Sequence, residues 1–359
     1  MNTFGENIKI TVFGQSHAEA IGVTIDGLPS GTEIDVEYVQ RLLDLRAPGR
    51  SDVSTKRKEP DKVEFISGVI DGKTCGTSVC AVIKNTDMHS KDYSNLLHKP
   101  RPSHADYPAM VKYGENYDIR GGGQFSGRLT APICIAGAVA LGILEKKGVK
   151  IASHIYSVGS VSDTPFDTLS DEEWLMEKLC GMDFAVIDEK KGEEMRGVIK
   201  SAAENLDSVG GVIECKITGL EAGTGSPMFD GLENVISRAV FGVPAVKGIE
   251  FGAGFEGAKM YGSEFNDAYY FDDSGKVRTK TNNAGGICGG MATGMPVIFR
   301  AAIKPTPSIA RAQETVDLEK GENTVLEIKG RHDPCIVPRA NAVIRAAAAI
   351  AVLDAIYSE

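Results

Sequence analysis

The chain has 359 residues, 42% of them hydrophobic and 25% charged, with a formal net charge of −10. That length suits about two domains, or one large α/β unit. The negative balance argues against nucleic acid or an acidic membrane surface as main partner, because a phosphate backbone needs a broad basic field whereas a small anion needs only a local basic pocket.

The seven cysteines, at positions 75, 80, 134, 180, 215, 288 and 335, are odd in number and form no CxxC pair. This is the pattern of reduced, mostly buried thiols in a cytoplasmic protein, not of a disulfide framework or a zinc site. The opening MNTFGENIKI lacks a basic-then-apolar signal. The uncharged run 129–144 is shorter than the roughly 18 residues of a membrane span, so it reads as a core helix, with no membrane partner.

In chain order, Ile8, Ile10 and Val12 alternate with polar neighbours and predict a strand over 7–13, ending in the loop Phe13 to His17. A strand over 21–26 follows, then a turn at Pro29 to Gly31 and a helix over 35–45. A basic loop carries Arg46, Arg50, Lys56, Arg57 and Lys58. Strands near 63–70 and 78–84 lead to a polar, irregular stretch over 85–118, long enough to expect a functional or mobile loop.

The stretch YDIRGGGQFSGRLTAPICIAGAVALGILEKK, residues 117–147, runs from a glycine loop into an apolar helix. Gly121, Gly122 and Gly123 disfavour regular structure and let the backbone approach a ligand closely. Arg120 and Arg128 flank them, Pro132 suits a first helical turn, and Lys146, Lys147 and Gly148 mark the stop. Free N–H groups and two guanidiniums at the positive end of a buried helix predict a phosphate-ester site, against the plainer alternative of a tight turn with two surface arginines.

Farther on, Ser170 with Glu173 and Asp230 with Glu233 have the spacing of helix-start capping boxes. Gly210 and Gly211 separate a helix from a strand over 212–218, and residues 264–281 predict an exposed hairpin or flap. A glycine-dense loop at 281–294, a strand over 296–303, the run Lys304 to Ser308 and an Ala-rich helix over 339–357 complete the chain. Both apolar helices follow an arginine-bearing loop, a weak sign of internal duplication that composition alone explains slightly better.

Two motifs mislead. Gly252-Ala-Gly254-Phe-Glu-Gly257 matches GxGxxG but is followed by no apolar helical period. Gly68 to Thr74 is one residue short of a P-loop and reads as a hairpin turn. His17 beside Ser16, His104 within Arg101 to Asp106, and His332-Asp333 beside Arg331 lie instead on loops with hydroxyls or arginines, a setting for acids poised near neutral pH. His89, His98 and His154 have no such setting.

Taken together, FGQSHAEAIGVTIDGLPSG at 13–31, RPSHADY at 101–107, YDIRGGGQFSGRLTA at 117–131, AVKGIEFGAGF at 245–255, NNAGGICGG at 282–290, KPTPSI at 304–309 and GRHDPC at 330–335 resemble the motifs of the chorismate synthase family, in its order. The resemblance spans nearly the whole chain. It implies a single α+β domain over 1–359, with long central helices sandwiched between antiparallel sheets, internal pseudo-symmetry and homotetrameric assembly. The implied activity is a lyase reaction of the shikimate pathway, the anti 1,4-elimination of phosphate from 5-enolpyruvylshikimate 3-phosphate. Reduced FMN would lend an electron and receive it back, with no net redox change.

By the same resemblance, His17 protonates the departing phosphate and His104 assists the anionic edge of the flavin. Asp333 tunes flavin N5 as proton acceptor, and Ser16 and Ser126 are relays. The flavin is expected against Ser126, Ala245, Gly289, the run Lys304, Pro305, Thr306, Pro307 and Ser308, and Arg331. Arg46, Arg57, Arg101, Arg120 and Arg128 are expected on the substrate's anions, where they would neutralise the charge developing on phosphate.

The chain departs from the family pattern in places. Many relatives read GGGRSSARET where this chain has Gln124, Phe125 and Ser126, so Phe125 is expected to contact the flavin ring, with Gln124 beside it. Pro244 replaces an asparagine that contacts the flavin. Ala47 and Asp52 stand where relatives carry arginines linked to a nicotinamide cofactor, so NADPH is not expected to bind and reduced flavin must come from elsewhere. The other readings are an oxidoreductase acting on a phosphorylated metabolite and a non-catalytic phospho-ligand-binding protein.

Overall fold

The computed structural model describes residues 2–49, 61–85, 98–328 and 333–357, without the side chain of Glu115. Arg50, Asp52, Lys56, Arg57, Lys58, His89, Arg331 and His332 therefore lie outside the described residues.

The first sheet has strand order 3–4, 9–14, 20–26, 79–84, 63–67, antiparallel throughout. Helix α1 (Val36–Arg46) connects the 20–26 strand to the 63–67 strand, and its cap is Asp35, whose carboxylate accepts from the Tyr38 N–H at 2.9 Å. Helix α2 (Asp106–Tyr113) lies in the stretch expected to be irregular. Its prolyl residue, Pro108, falls in the first turn, where the missing N–H costs nothing, so proline here marks a helix start and not a break. Helix α3 (Thr130–Lys146) ends this half.

The second half repeats the plan. Its sheet has order 246–251, 297–303, 211–218, 150–158, 161–162, again antiparallel. Helices α4 (Glu173–Cys180) and α5 (Glu189–Glu204) lie between 162 and 211, and α6 (Leu232–Phe241) precedes the 246–251 strand. The short α7 (Gly254–Gly257) and α8 (Gly262–Phe265) follow, and α9 (Val337–Ile356) closes the chain. Strands 9–14, 20–26, 79–84 and 63–67 thus correspond in sequence and spatial order to 150–158, 211–218, 297–303 and 246–251. In the same scheme α1 matches α6, and α3 matches α9. Topology supplies the internal symmetry that composition left open.

The two apolar helices pack on each other and are buried on nearly every face, which explains their lack of a polar stripe. The run Arg120 to Lys146 is long and apolar enough to cross a membrane, yet most of it is buried inside the protein. One buried apolar cluster joins both sheets to both helices. The carboxylate of Asp354, near the end of α9, accepts from the N–H groups of Glu6, Asn7 and Ile8 at 2.8 to 3.1 Å, tying the two ends of the chain together.

Neither expected capping box forms. Helix α4 starts after Glu172, which sits at φ 48°, and Ser170 Oγ bonds Asp167 at 2.7 Å. Helix α6 is preceded by Gly231 and a tight turn over 228–230. In both places a tertiary or turn contact outcompetes the local cap. The Gly68–Thr74 segment is the hairpin read from sequence, and no helix of useful length follows the GxGxxG match. Residues 269–271 and 277–279 pair as a hairpin. The cysteines are free; 134, 215 and 335 are buried, but Cys75 and Cys288 are exposed, so the expectation of mostly buried thiols overstates burial.

Candidate active site

The 9–14 strand delivers Ser16 and His17 onto the glycine loop, where the Ser16 N–H donates to the Gly123 carbonyl at 3.1 Å. That loop is not the open cradle of N–H groups expected from sequence. Residues 120–125 form tight turns, and the Gly122 N–H is spent on the Ile119 carbonyl at 3.0 Å. The glycines serve close approach instead. Gly121 has φ 59°, and a Cβ there would lie 2.3 Å from Ser16 Oγ and 2.7 Å from the His17 ring. At Gly122, φ 83°, a Cβ would lie 3.2 Å from the His104 ring. A side-chain-free loop is thus wedged between the two histidines.

A cavity of about 840 Å³ opens beside this loop, near the upper end for small-molecule sites. Its wall includes Ser16, His104, Gln124, Phe125, Ser126, Arg46, Arg101 and Arg128 from the first half, and Ala245, Lys304, Thr306, Pro307, Ser308 and Asp333 from the second. His17 is buried directly behind Gly121. Gly289, Pro305 and Arg120 are not part of the wall. Gly289 is at the tip of a small hairpin. The Arg120 guanidinium is half exposed and bonded to Asp118 at 2.8 and 2.9 Å. Arg57 and Arg331 lie outside the described residues.

The arginines are held by carboxylates that sequence reasoning missed. Asp61, fully buried, binds Arg46 Nη1 at 2.7 Å and also pairs with Arg128. Arg46 further donates to Thr130 Oγ1 and to the Gly127 carbonyl, both at 3.1 Å. Arg101 is bound by Asp106 through Nε at 2.7 Å and Nη2 at 2.8 Å, and its Nη1 reaches Ser308 Oγ at 3.4 Å. Arg339, on the first turn of α9, donates to Asp333 and to the Arg46 carbonyl, the latter at 3.0 Å. No spacing rule links Asp61 to residues 46 and 128, so only the fold could reveal it.

Charge is arranged unevenly around the cavity. Burial, assisted by the charge of Lys247, pushes the Lys304 ammonium below its ordinary pKa. Lys247 also lines the cavity, and neither lysine pairs with a carboxylate among the described residues. The hydrogen bond from Arg120 holds Asp118 below the usual carboxylate range, against burial, and the charge of His17 contributes in the same direction. Tyr113, Phe125 and Phe241 form the aromatic part of the wall, and the Phe125 ring centroid is 6.0 Å from that of Tyr117 and 6.4 Å from that of Tyr113. Ala245 is held at φ 75°, a strained value for a residue with a Cβ, and its carbonyl accepts from the Lys304 N–H at 2.9 Å.

These features suit a planar ring with an anionic tail lying beside a second, multiply anionic molecule. Aromatic and glycine surfaces can receive a ring, the unpaired lysines can take a phosphate, and clamped guanidiniums can take further anions.

Comparison with known proteins agrees. A sequence model described as chorismate synthase matches residues 8–357. The chain is 44% identical to "Chorismate synthase" of Methanobrevibacter smithii over 98% of this chain and 95% of that protein. It is 43% identical to that of Methanocaldococcus jannaschii over 99% and 96% of the two chains. Among solved structures, "Crystal Structure of Chorismate Synthase" superposes with a TM-score of 0.76 at 26% identity, covering 98% of this chain and 92% of the other. The α+β fold of paired sheets and central helices is shared with that structure, and the chain belongs to the chorismate synthase family.

Proposed function

We propose that this protein, a carbon–oxygen lyase by family, converts 5-enolpyruvylshikimate 3-phosphate to chorismate by an anti 1,4-elimination of phosphate and a ring proton, with reduced FMN bound in the same cavity. The observation that carries the reading is the single cavity that gathers Ser16, Arg46, His104, Ser126, Arg128 and Asp333 from both halves of the chain.

Bound reduced FMN would supply an electron transiently and recover it, which makes loss of a weakly acidic ring proton feasible. Lys304, Thr306, Pro307, Ser308, Ala245, Gln124, Phe125 and Ser126 would hold it, with Phe125 against the ring and Lys304 with Lys247 toward its phosphate. Arg46 and Arg128, already fixed by Asp61, would bind the substrate's anions without further ordering cost. His17 would protonate the leaving phosphate across Gly121, with Ser16 as relay, and Asp333, oriented by Arg339, would tune flavin N5 as the acceptor of the ring proton. Arg101, on the cavity wall and clamped by Asp106 at two of its guanidinium nitrogens, would also face the substrate's anions. Arg120 would contribute at the rim, and Arg57, Arg331 and Gly289 keep the roles implied by family likeness.

NADPH is not expected to bind, so reduced flavin would come from another source. NADPH-driven turnover without added reductant would refute this. Free thiols fit a cytoplasmic setting. The shared buried cluster fits one domain over 1–359, and the exposed side chains of Phe229, Phe255, Tyr261 and Phe271 fit assembly into a homotetramer.

The test is anaerobic incubation with the enolpyruvyl substrate and dithionite-reduced FMN, following phosphate release and chorismate absorbance together. Equal release of both, with bulk flavin redox state unchanged, supports the elimination. Flavin oxidised in step with product would indicate an oxidoreductase, and no phosphate release would indicate a binding protein.

A further inference from the structure

Asp106, the first residue of α2, is completely buried and touches the cavity only through its neighbours. One of its oxygens accepts from Arg101 Nε at 2.7 Å and from the Arg101 backbone N–H at 3.1 Å. The other accepts from Arg101 Nη2 at 2.8 Å and lies 2.7 Å from His104 Nδ1. Ser103, at φ 57°, makes the bend that turns the imidazole back onto this carboxylate.

The hydrogen bonding at Nδ1 has one consistent solution. A carboxylate only accepts and a guanidinium only donates. Burial alone would raise the Asp106 pKa, but the bonds from Arg101 and His104 outweigh it and hold the acid far below the usual carboxylate range, so it is ionised. The Nδ1 proton therefore points to Asp106. Arg101 Nη2, 3.1 Å from Nδ1, directs its own hydrogen to the carboxylate oxygen at 2.8 Å. The ring edge that remains, Cε1 and Nε2, faces Gly122, and Nε2 has no hydrogen-bond partner among the described residues.

We infer that Asp106 is a positioning residue that fixes the tautomer of His104, keeping a proton on Nδ1 and leaving Nε2 as the one ring nitrogen that exchanges a proton with a bound ligand. The inference rests on the proposed function for the identity of that ligand, but the tautomer is a property of the protein alone. The same carboxylate holds Arg101, whose remaining Nη1 bonds Ser308 on the second-half wall of the cavity at 3.4 Å. Ionised aspartate behind histidine sets proton direction and geometry without itself being protonated.

The test uses ¹⁵N-histidine NMR of the full-length protein without ligand, with His104 assigned from a His104→Gln variant. In the wild type, neutral His104 is expected as the Nδ1–H tautomer. In Asp106→Asn the carboxamide can donate to Nδ1, and the ring is expected to switch to Nε2–H. With reduced FMN, kcat in Asp106→Asn should fall by about 10–100-fold with KM for the enolpyruvyl substrate little changed, and Asp106→Glu should restore the Nδ1–H signal. An Nε2–H tautomer in the wild type overturns the inference even if the variant fails to fold. So does an unchanged tautomer in Asp106→Asn, or a loss confined to KM. An Nδ1–H ring in a wild type that releases no phosphate would instead refute the proposed function and leave the inference standing.

Discussion

Gly137 of α3 lies directly against Ala346 of α9: a Cβ on Gly137 would be 2.3 Å from the Ala346 Cβ and 2.5 Å from its Cα. At this crossing the two halves meet backbone to backbone. The helices bring the Ser126 and Arg128 turn and the Asp333 and Arg339 pair to one cavity. Gly137→Ala should destabilise the protein by about 1–3 kcal/mol through overpacking, and Gly137→Val by more. Urea denaturation measures the shift, and an unchanged midpoint would show that the helices can part without cost.

Gly121→Ala places a methyl group against Ser16 Oγ and the His17 ring and adds the strain of a Cβ at φ 59°. The variant should fold and lose about 100-fold or more in kcat, the lower end of one general-acid contribution. Gly142→Ala, in α3 with no atom within 4 Å of the added carbon, is the control; it should leave turnover unchanged and stabilise the helix by about 0.5–1 kcal/mol. Equal turnover in the two variants would separate the glycine loop from catalysis.

Asp61→Ala leaves two buried guanidiniums without their shared carboxylate. Breaking a buried ion pair on one side costs about 3–5 kcal/mol, readable by chemical denaturation. The milder Asp61→Asn should fold and raise KM for the phosphorylated substrate more than it lowers kcat, because the misaligned arginines bind the anion in the ground state as well. A kcat defect with unchanged KM would argue against that assignment.

A second titrating cluster lies away from the cavity. His154 is fully buried between Asp163, 3.0 Å from Nδ1, and Glu214, 3.1 Å from Nε2, and Arg300 reaches Glu214 at 2.8 Å. Burial opposes the imidazolium, but the hydrogen bonds to Asp163 and Glu214 outweigh it and raise the His154 pKa above its ordinary 6.5. For Asp163 and Glu214 burial is likewise outweighed by bonds from His154, and their pKa values are lowered from 3.8 and 4.5. A raised histidine stabilises fully below its unfolded pKa and loses that contribution as pH rises through the folded value; lowered carboxylates stabilise above their unfolded values and lose it as pH falls. Stability from this cluster should therefore be greatest between about pH 4.5 and 6.5 and decline above. Melting temperatures from about pH 4.5 to well above 6.5, compared with His154→Gln, check the sign: the variant should lack the alkaline decline attributable to this site.

His154 also shows where sequence reasoning stops. Nothing around it in the chain marks it as important, and its partners are 9 and 60 residues away on other elements. By contrast Ser16, His104, Ser126 and Arg128 each sit in a short motif marked by glycines or prolines, and all four line the one cavity. Helix α2 escaped notice because Pro102 and Pro108 resemble breakers until the position of Pro108 in the first turn is known. The hairpin over 313–326 was missed as well: it pairs Gln313–Asp317 with Glu322–Leu326 and seats Thr315 on the Pro100 carbonyl at 2.5 Å.

The local pattern by itself determined the main strands of the first sheet and the two core helices, because apolar spacing and stop signals act over a few residues. Motif order carried the family. Tertiary structure alone decided the pairing of two similar halves, the carboxylates that hold each arginine, and the use of Gly121 and Gly122 as spacers between histidines. Those features depend on distances between segments far apart in the chain, and ion pairing and steric clearance are set by where backbones meet in space.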